Sequence, residues 1–177
     1  MKKCLIVVDY QNDFVSGSLG FPEAPVLEPL IAEKIGEYRQ NGGEILFTFD
    51  THDANYMNTQ EGENLPVPHC LLGTLGHSLY GRVSELLSDS DKCFCKNTFG
   101  SGELYEYLRT QPPFESIELV GLVSNICVIS NAVLAKTAQP ETPIVVDAAC
   151  VGSGNSNLHN AALDVMAGLQ VHIVNRD

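Results

Sequence analysis

The segment Gly121-Leu122-Val123-Ser124-Asn125-Ile126-Cys127 sets a thiol where chemistry could use it. An apolar run ends near Gly121, a tight turn follows, and Ser124 or Asn125 would cap the helix that starts there. Cys127 would then lie in the first helical turn. The positive end of a helix dipole favours thiolate over thiol, which lowers a cysteine pKa from about 8.5. The free N–H groups of that turn could also hold an oxyanion. A buried structural cysteine on an amphipathic helix fits the same residues, and the segment alone does not separate the two readings.

A thiolate nucleophile needs a proton path and a charge partner. No histidine is an obvious partner at the neighbouring strand ends, but a carboxylate and a lysine are. Asp9 follows the run Leu5-Ile6-Val7-Val8 and can accept the thiol proton. Lys96 follows Cys93-Phe94-Cys95 and can stabilise a thiolate while keeping the aspartate ionised. A second group is Asp50-Thr51-His52 together with Pro68-His69. Two imidazoles and a carboxylate suit Zn²⁺, Mn²⁺ or Fe²⁺, with positions left for water or substrate. Ordinary polar residues are the alternative here, because two-apart pairs in loops arise by chance.

These residues need elements to carry them. Apolar runs at Cys4–Val8, Glu44–Phe49, Lys92–Cys95, Ile117–Gly121, Ile144–Val146 and Val171–Val174 read as strands. Several are continuous rather than alternating, as expected for strands covered on both faces. Helix-period stretches begin near Pro25, Leu79, Gly102, Asn125 and Asn157, and the first ends at Asn41-Gly42-Gly43. Alternation of the two types implies βαβ units and a parallel sheet. Four of the strands run into a charged residue: Asp9, Asp50, Lys96 and Asp147. In an open α/β sheet the carboxyl ends of the strands form the ligand crevice, so this clustering reads as a site. The stretch from His52 to His77 has no period and is too long for an idle connection.

The chain has 177 residues, 44% of them hydrophobic and 18% charged, which suits a single globular domain over residues 1–177. A net charge of -12 argues against nucleic acid, whose binding rests on cationic side chains, and against an anionic membrane surface. Apolar runs are strand-sized, and the N-terminus has no signal-peptide pattern, so the expected location is the cytoplasm. The six cysteines then read as reduced thiols, with Cys4, Cys93, Cys95 and Cys150 acting as small buried hydrophobes. Cys93 and Cys95 are expected to point to opposite faces of their strand, which would be poor geometry for a zinc knuckle.

Together these motifs resemble the isochorismatase-like cysteine hydrolases, and within them the nicotinamidases. Val7-Val8-Asp9-Tyr10-Gln11-Asn12-Asp13-Phe14 is similar to that family's first-strand motif, Lys96 takes the place of its lysine, and Gly121 to Val128 matches its nucleophile element. The resemblance implies a three-layer α/β/α, Rossmann-like fold around a mostly parallel six-stranded sheet. It implies that Cys127 attacks a carbonyl carbon, ammonia leaves, and water hydrolyses the thioester, with Asp9 relaying protons. It further implies a cis peptide bond at Leu122–Val123, and the N–H groups of Val123 and Cys127 as oxyanion donors. Asp50, His52 and His69 match the family's metal ligands, zinc first among them, with Glu61 as the candidate for a further one. Gln11, Phe14 and Phe99 would line the substrate pocket by position. The chain departs from the family pattern before its Pro-His, where Leu65-Pro66-Val67 offers no aromatic residue, and it has no Trp.

Three other functions share the fold. An isochorismatase would need neither the metal triplet nor a cysteine. An N-carbamoyl amidase would want an arginine for its substrate carboxylate, and Arg82 and Arg109 both fall in expected helices. A non-catalytic binding domain would be favoured by loss of a triad member, and none is lost. The resemblance also implies a homodimer or homotetramer acting on a small amide.

Overall fold

The computed structural model describes residues 1–176. Six strands form one sheet: β1 (Cys4–Val8), β2 (Glu44–Asp50), β3 (Lys92–Lys96), β4 (Ile117–Leu122), β5 (Ile144–Gly152) and β6 (His172–Val174). They lie in the order β3-β2-β1-β4-β5-β6, and every pairing is parallel. The helices are α1 (Asn12–Val15), α2 (Glu28–Gln40), α3 (Gln60–Asn64), α4 (Gly81–Glu85), α5 (Gly102–Thr110), α6 (Ile129–Ala138) and α7 (Ser156–Gly168). Among the described residues no helix is long and apolar enough to cross a membrane.

The period of two along β1 sorts the layers. Cys4, Ile6 and Val8 point into a core shared with Leu104 and Leu108 of α5, Ala132 and Ala135 of α6, and Leu163 and Met166 of α7. Leu5 and Val7 point the other way, onto Phe14 of α1, Ile31 and Ile35 of α2, and Val83 of α4. Both faces of the sheet are therefore covered, and the architecture is the expected three-layer α/β/α. The chain runs outward from β1 through β2 to β3, then returns to β4 on the other side of β1. That reversal places Asp9 and the Gly121–Cys127 segment at the carboxyl ends of β1 and β4, where open α/β sheets form their ligand crevice.

The fold corrects several expectations. Asp147 is not at a strand end, because β5 continues to Gly152. It is buried away from the crevice, 2.8 Å from Lys34, which also meets Glu118 at 2.6 Å. Only Asp9, Asp50 and Lys96 of the four charged strand-end residues converge. Cys4 and Cys150 are buried as expected, but Cys93 and Cys95 are exposed. They also share a face, since residues two apart on a strand point the same way. Their strand is at the edge of the sheet, where Phe94 and Lys96 take the buried side. The aperiodic stretch after His52 holds a 3₁₀ turn at Tyr56–Asn58 and the short α3, both below the length at which a period is readable.

Candidate active site

Asp9 directly follows β1, adopts φ 44°, and is fully buried. A non-glycine residue in this left-handed region is costly and persists where neighbours hold it. Here its Oδ1 accepts from Thr48 Oγ1 at 2.6 Å and its Oδ2 lies 2.6 Å from Lys96 Nζ. Close approach of β4 makes the position possible. Gly121 pairs with Val8 and has φ 111°, and a Cβ there would sit 2.1 Å from the Val8 carbonyl oxygen. Glycine is the residue that fits both demands.

Cys127 belongs to a turn of π-helix over Ser124–Val128 that leads into α6. The Leu122–Val123 peptide bond ahead of it is cis. Lys96 Nζ stands 3.6 Å from Cys127 Sγ, so the ammonium bridges thiol and carboxylate. The buried Asn131 fixes the turn from below. Its Nδ2 donates to the Cys127 carbonyl at 2.8 Å and to the Phe99 carbonyl at 3.2 Å. Ser124 Oγ pairs with His159 Nδ1 of α7 at 2.9 Å.

Electrostatics here depart from the expectation of a lowered thiol pKa. Burial, and then the Asp9 carboxylate, push the Cys127 thiol well up, and Lys96 only partly opposes them. Desolvation of a fully enclosed thiol outweighs the partial charge of a helix end. Burial also raises Asp9, against the pull of Lys96. Lys96 itself is held protonated: burial disfavours its charge, but the carboxylates of Asp9 and then Asp50 favour it more strongly. The resting site is a thiol beside a base, with a permanent cation between them.

Asp50, His52 and His69 converge next to this group. Asp50 Oδ2 lies 3.1 Å from Nε2 of His52 and 3.1 Å from Nε2 of His69. The three ligand atoms all fall within 4.8 Å of one another, and all three residues are buried. His69 Nδ1 lies 2.8 Å from the Val67 carbonyl, which fixes the proton on Nδ1 and turns Nε2 toward the cluster. Glu61 Oε1 stands farther off, 3.6 Å from His69 and 3.8 Å from His52. A buried set of two imidazoles and one carboxylate, with a second carboxylate in reach, fits a divalent metal.

A cavity of about 910 Å³ opens over His52 and Glu61, with Phe99, Leu65, Leu72, Ile126, Asn97 and Thr98 among its walls. Phe99 is one of the residues lining this cavity. Phe14 is buried and packs against His69, ring centroids 5.5 Å apart. Gln11 is elsewhere: it is fully buried and its amide is committed to backbone. Its Nε2 donates to the carbonyls of Asp50 and His77, and its Oε1 accepts from the Asp50 N–H, each at 2.8 Å. It braces the end of β2 rather than walling the cavity.

Sequence reasoning missed Tyr56. Its ring meets His52 and His69 edge-on, at 4.7 and 5.0 Å, and its hydroxyl donates to the Leu65 carbonyl. It supplies the aromatic wall that the residues before Pro68 lack. Thr48 was also missed; the signal was one hydroxyl inside the apolar run Ile45–Phe49.

Comparison with known proteins agrees with this geometry. The isochorismatase domain matches residues 3–177. An isochorismatase family protein, PncA, from Bacillus subtilis is 32% identical, with 94% of this chain and 95% of that one aligned. The crystal structure of a nicotinamidase/pyrazinamidase PncA from Bacillus subtilis superposes with TM-score 0.86 at 30% identity, covering 98% and 99% of the two chains. A zinc complex of a pyrazinamidase from Pyrococcus horikoshii shares the fold, with TM-score 0.85 at 24% identity over 99% and 100%.

Proposed function

From the premise that this chain belongs to the isochorismatase family, we propose that it is a nicotinamidase-like amidohydrolase, cleaving a small aromatic amide to its acid and ammonia. One observation carries the reading: Lys96 stands 2.6 Å from Asp9 and 3.6 Å from Cys127, with the Asp50/His52/His69 donor set at its side.

In this reading Cys127 is the nucleophile, Asp9 the general base and acid, and Lys96 the fixed cation. Asp9 takes the thiol proton as sulfur attacks the amide carbon. The N–H groups of Val123 and Cys127 hold the oxyanion. Collapse breaks the C–N bond, Asp9 returns the proton to the leaving nitrogen, and ammonia departs. Water, deprotonated by Asp9, then attacks the thioester, and the thiol is regenerated with release of the acid. A divalent metal, zinc being the best fit to the donors, would be held by Asp50, His52 and His69 with Glu61 as further ligand, and would supply a Lewis-acid contact for a ring nitrogen of the substrate. Phe14, Tyr56 and Phe99 would order the ring around it, with Gln11 steadying Asp50.

An isochorismatase or N-carbamoyl amidase is less well supported. Their substrates carry carboxylates, and the cavity walls contain Asp53 and Glu61 but neither lysine nor arginine. The chain acts, in our reading, as a single domain in a homodimer or homotetramer in the cytoplasm. Exposed apolar residues Val133, Leu158 and Val165 on α6 and α7 support association, and six free thiols suit a reducing compartment. Light scattering of a monomer at micromolar concentration would remove the oligomer.

The deciding assay follows ammonia release from nicotinamide with and without chelator. Release that stops on chelation and returns with zinc supports the whole reading. No release, from protein whose Cys127 still reacts with iodoacetamide, keeps the thiol site and discards the substrate.

A further inference from the structure

The motif Asp9-Tyr10-Gln11-Asn12-Asp13-Phe14 contributes one residue to the chemistry, yet its polar side chains are almost all spent on backbone elsewhere. Asn12 Nδ2 donates to the carbonyls of Leu75 at 2.9 Å, Ser78 at 3.0 Å and Leu79 at 3.2 Å. The Asp13 N–H donates to the Gly76 carbonyl at 3.1 Å. Asp13 Oδ2 accepts from the Cys70 N–H at 2.8 Å. The loop after His69 is thereby bound to α1 along its length.

Asp13 has the most consequential grip. Cys70 has φ 46°, a conformation that non-glycine residues rarely take and that needs something to hold it. Its N–H is held by Asp13, and its carbonyl accepts from the His52 N–H at 3.1 Å. Leu72 N–H in turn donates to the His52 carbonyl at 2.8 Å. One residue thus follows His69 in the chain and hydrogen-bonds to the backbone of His52. The fit around the carboxylate is close: a Cβ at Gly76 would lie 2.1 Å from Asp13 Oδ2.

We propose that Asp13 is a positioning residue for the metal centre, fixing the left-handed turn at Cys70 that sets the spacing of His52 and His69. The proposal rests on the metal reading of Asp50, His52 and His69 given above. Asp13 is outside the donor set Asp50, His52 and His69 and does not line the cavity over them. It acts by holding two ligand backbones in register, so that the imidazoles meet Asp50 without prior rearrangement.

The test is zinc affinity, measured by competition with a chromophoric chelator, on wild type, Asp13→Ala, Asp13→Asn and the double variant Asp13→Ala with Cys70→Gly. Asp13→Ala should bind zinc about 10- to 100-fold more weakly, the scale of losing an outer-shell partner. Asp13→Asn keeps an acceptor oxygen and should recover most of that loss. Glycine in place of Cys70 takes positive φ freely and should recover part of it. The rate of Cys127 alkylation, read by peptide mass, should stay within about twofold of wild type, since the triad is elsewhere. Asp13→Ala binding zinc like wild type overturns the proposal, as does a loss that neither Asp13→Asn nor the added Cys70→Gly repairs. If Asp13→Ala fails to fold, Asp13→Glu moves the carboxylate by one methylene, and unchanged affinity there overturns it equally. A wild type that takes up no zinc sinks the metal reading and the proposal with it, whereas zinc uptake indifferent to the side chain of Asp13 sinks the proposal alone.

Discussion

Asp50 divides its carboxylate between two tasks: one oxygen lies 3.5 Å from Lys96 Nζ, and the other lies between the two imidazoles. Metal donors and nucleophile cation therefore share a residue. Replacing Asp50 by Ala should remove the metal and disturb Lys96 together. We expect loss of zinc binding in the chelator competition and a fall in kcat/KM of at least about 100-fold for nicotinamide. A variant that loses zinc but keeps its turnover would separate the two tasks and contradict this account.

Loss of Lys96 should cost stability as well as activity. Asp9 is fully buried and Lys96 is its cation. Removing one partner of a buried pair leaves an uncompensated charge, at about 3–5 kcal/mol. Lys96→Met should lose that much in urea unfolding, as well as activity. A loss under about 1 kcal/mol would mean that Asp9 is neutral in the resting protein.

The pH profile tests the base. Burial raises the Asp9 pKa above its ordinary value, and amide cleavage requires the ionised carboxylate. The sign follows directly: kcat/KM falls as pH drops through that raised pKa, so the acid limb sits above the usual carboxylate value of about 4. A limb at or below that value would show that Lys96 outweighs burial.

The sequence made visible what is local and left obscure what is relational. Strand identity was readable because β1 is a continuous apolar run and β2 and β4 are interrupted inside theirs by one polar residue each, Thr48 and Glu118, and Asp9 and Lys96 were readable because each directly follows a short apolar run. Asp147 looked the same as Asp9 in sequence, since nothing local distinguishes a strand's end from its middle when apolar residues follow. Lys34, distant in the chain, is what gives Asp147 its place. Gln11 was placed in the pocket by its position in the family motif, and that position does not show where its side chain goes, because its partners Asp50 and His77 are far off in the chain. The direction of the Cys127 shift was misread because a helix end can be seen in sequence and the depth of burial cannot.

Gly121 offers a test of the crevice independent of any ligand. Gly121→Ala meets both a positive φ and a contact of 2.1 Å with the Val8 carbonyl. The strands β1 and β4 must separate where Asp9 begins, and a rigid backbone atom is the obstacle. Destabilisation of at least about 3 kcal/mol in urea is expected, with activity lost in whatever remains folded. A stable, active Gly121→Ala protein would show that β4 can shift without displacing Asp9.

Charge in the cavity should decide which amides are accepted. Asp53 and Glu61 are its ionisable acids, and burial and then Asp50 raise the Glu61 pKa. With no lysine or arginine in its walls, the cavity has nothing to meet a substrate carboxylate, and desolvating one unpaired is costly. Nicotinamide should be turned over with a kcat/KM at least about 100-fold above that of the same amide bearing a ring carboxylate. The penalty should shrink in Asp53→Asn, which removes a like charge from the wall without touching the triad or the imidazoles. Equal rates for the neutral and the carboxylated amide would mean that substrates reach Cys127 by a path that avoids these walls, and the isochorismatase reading would regain its footing.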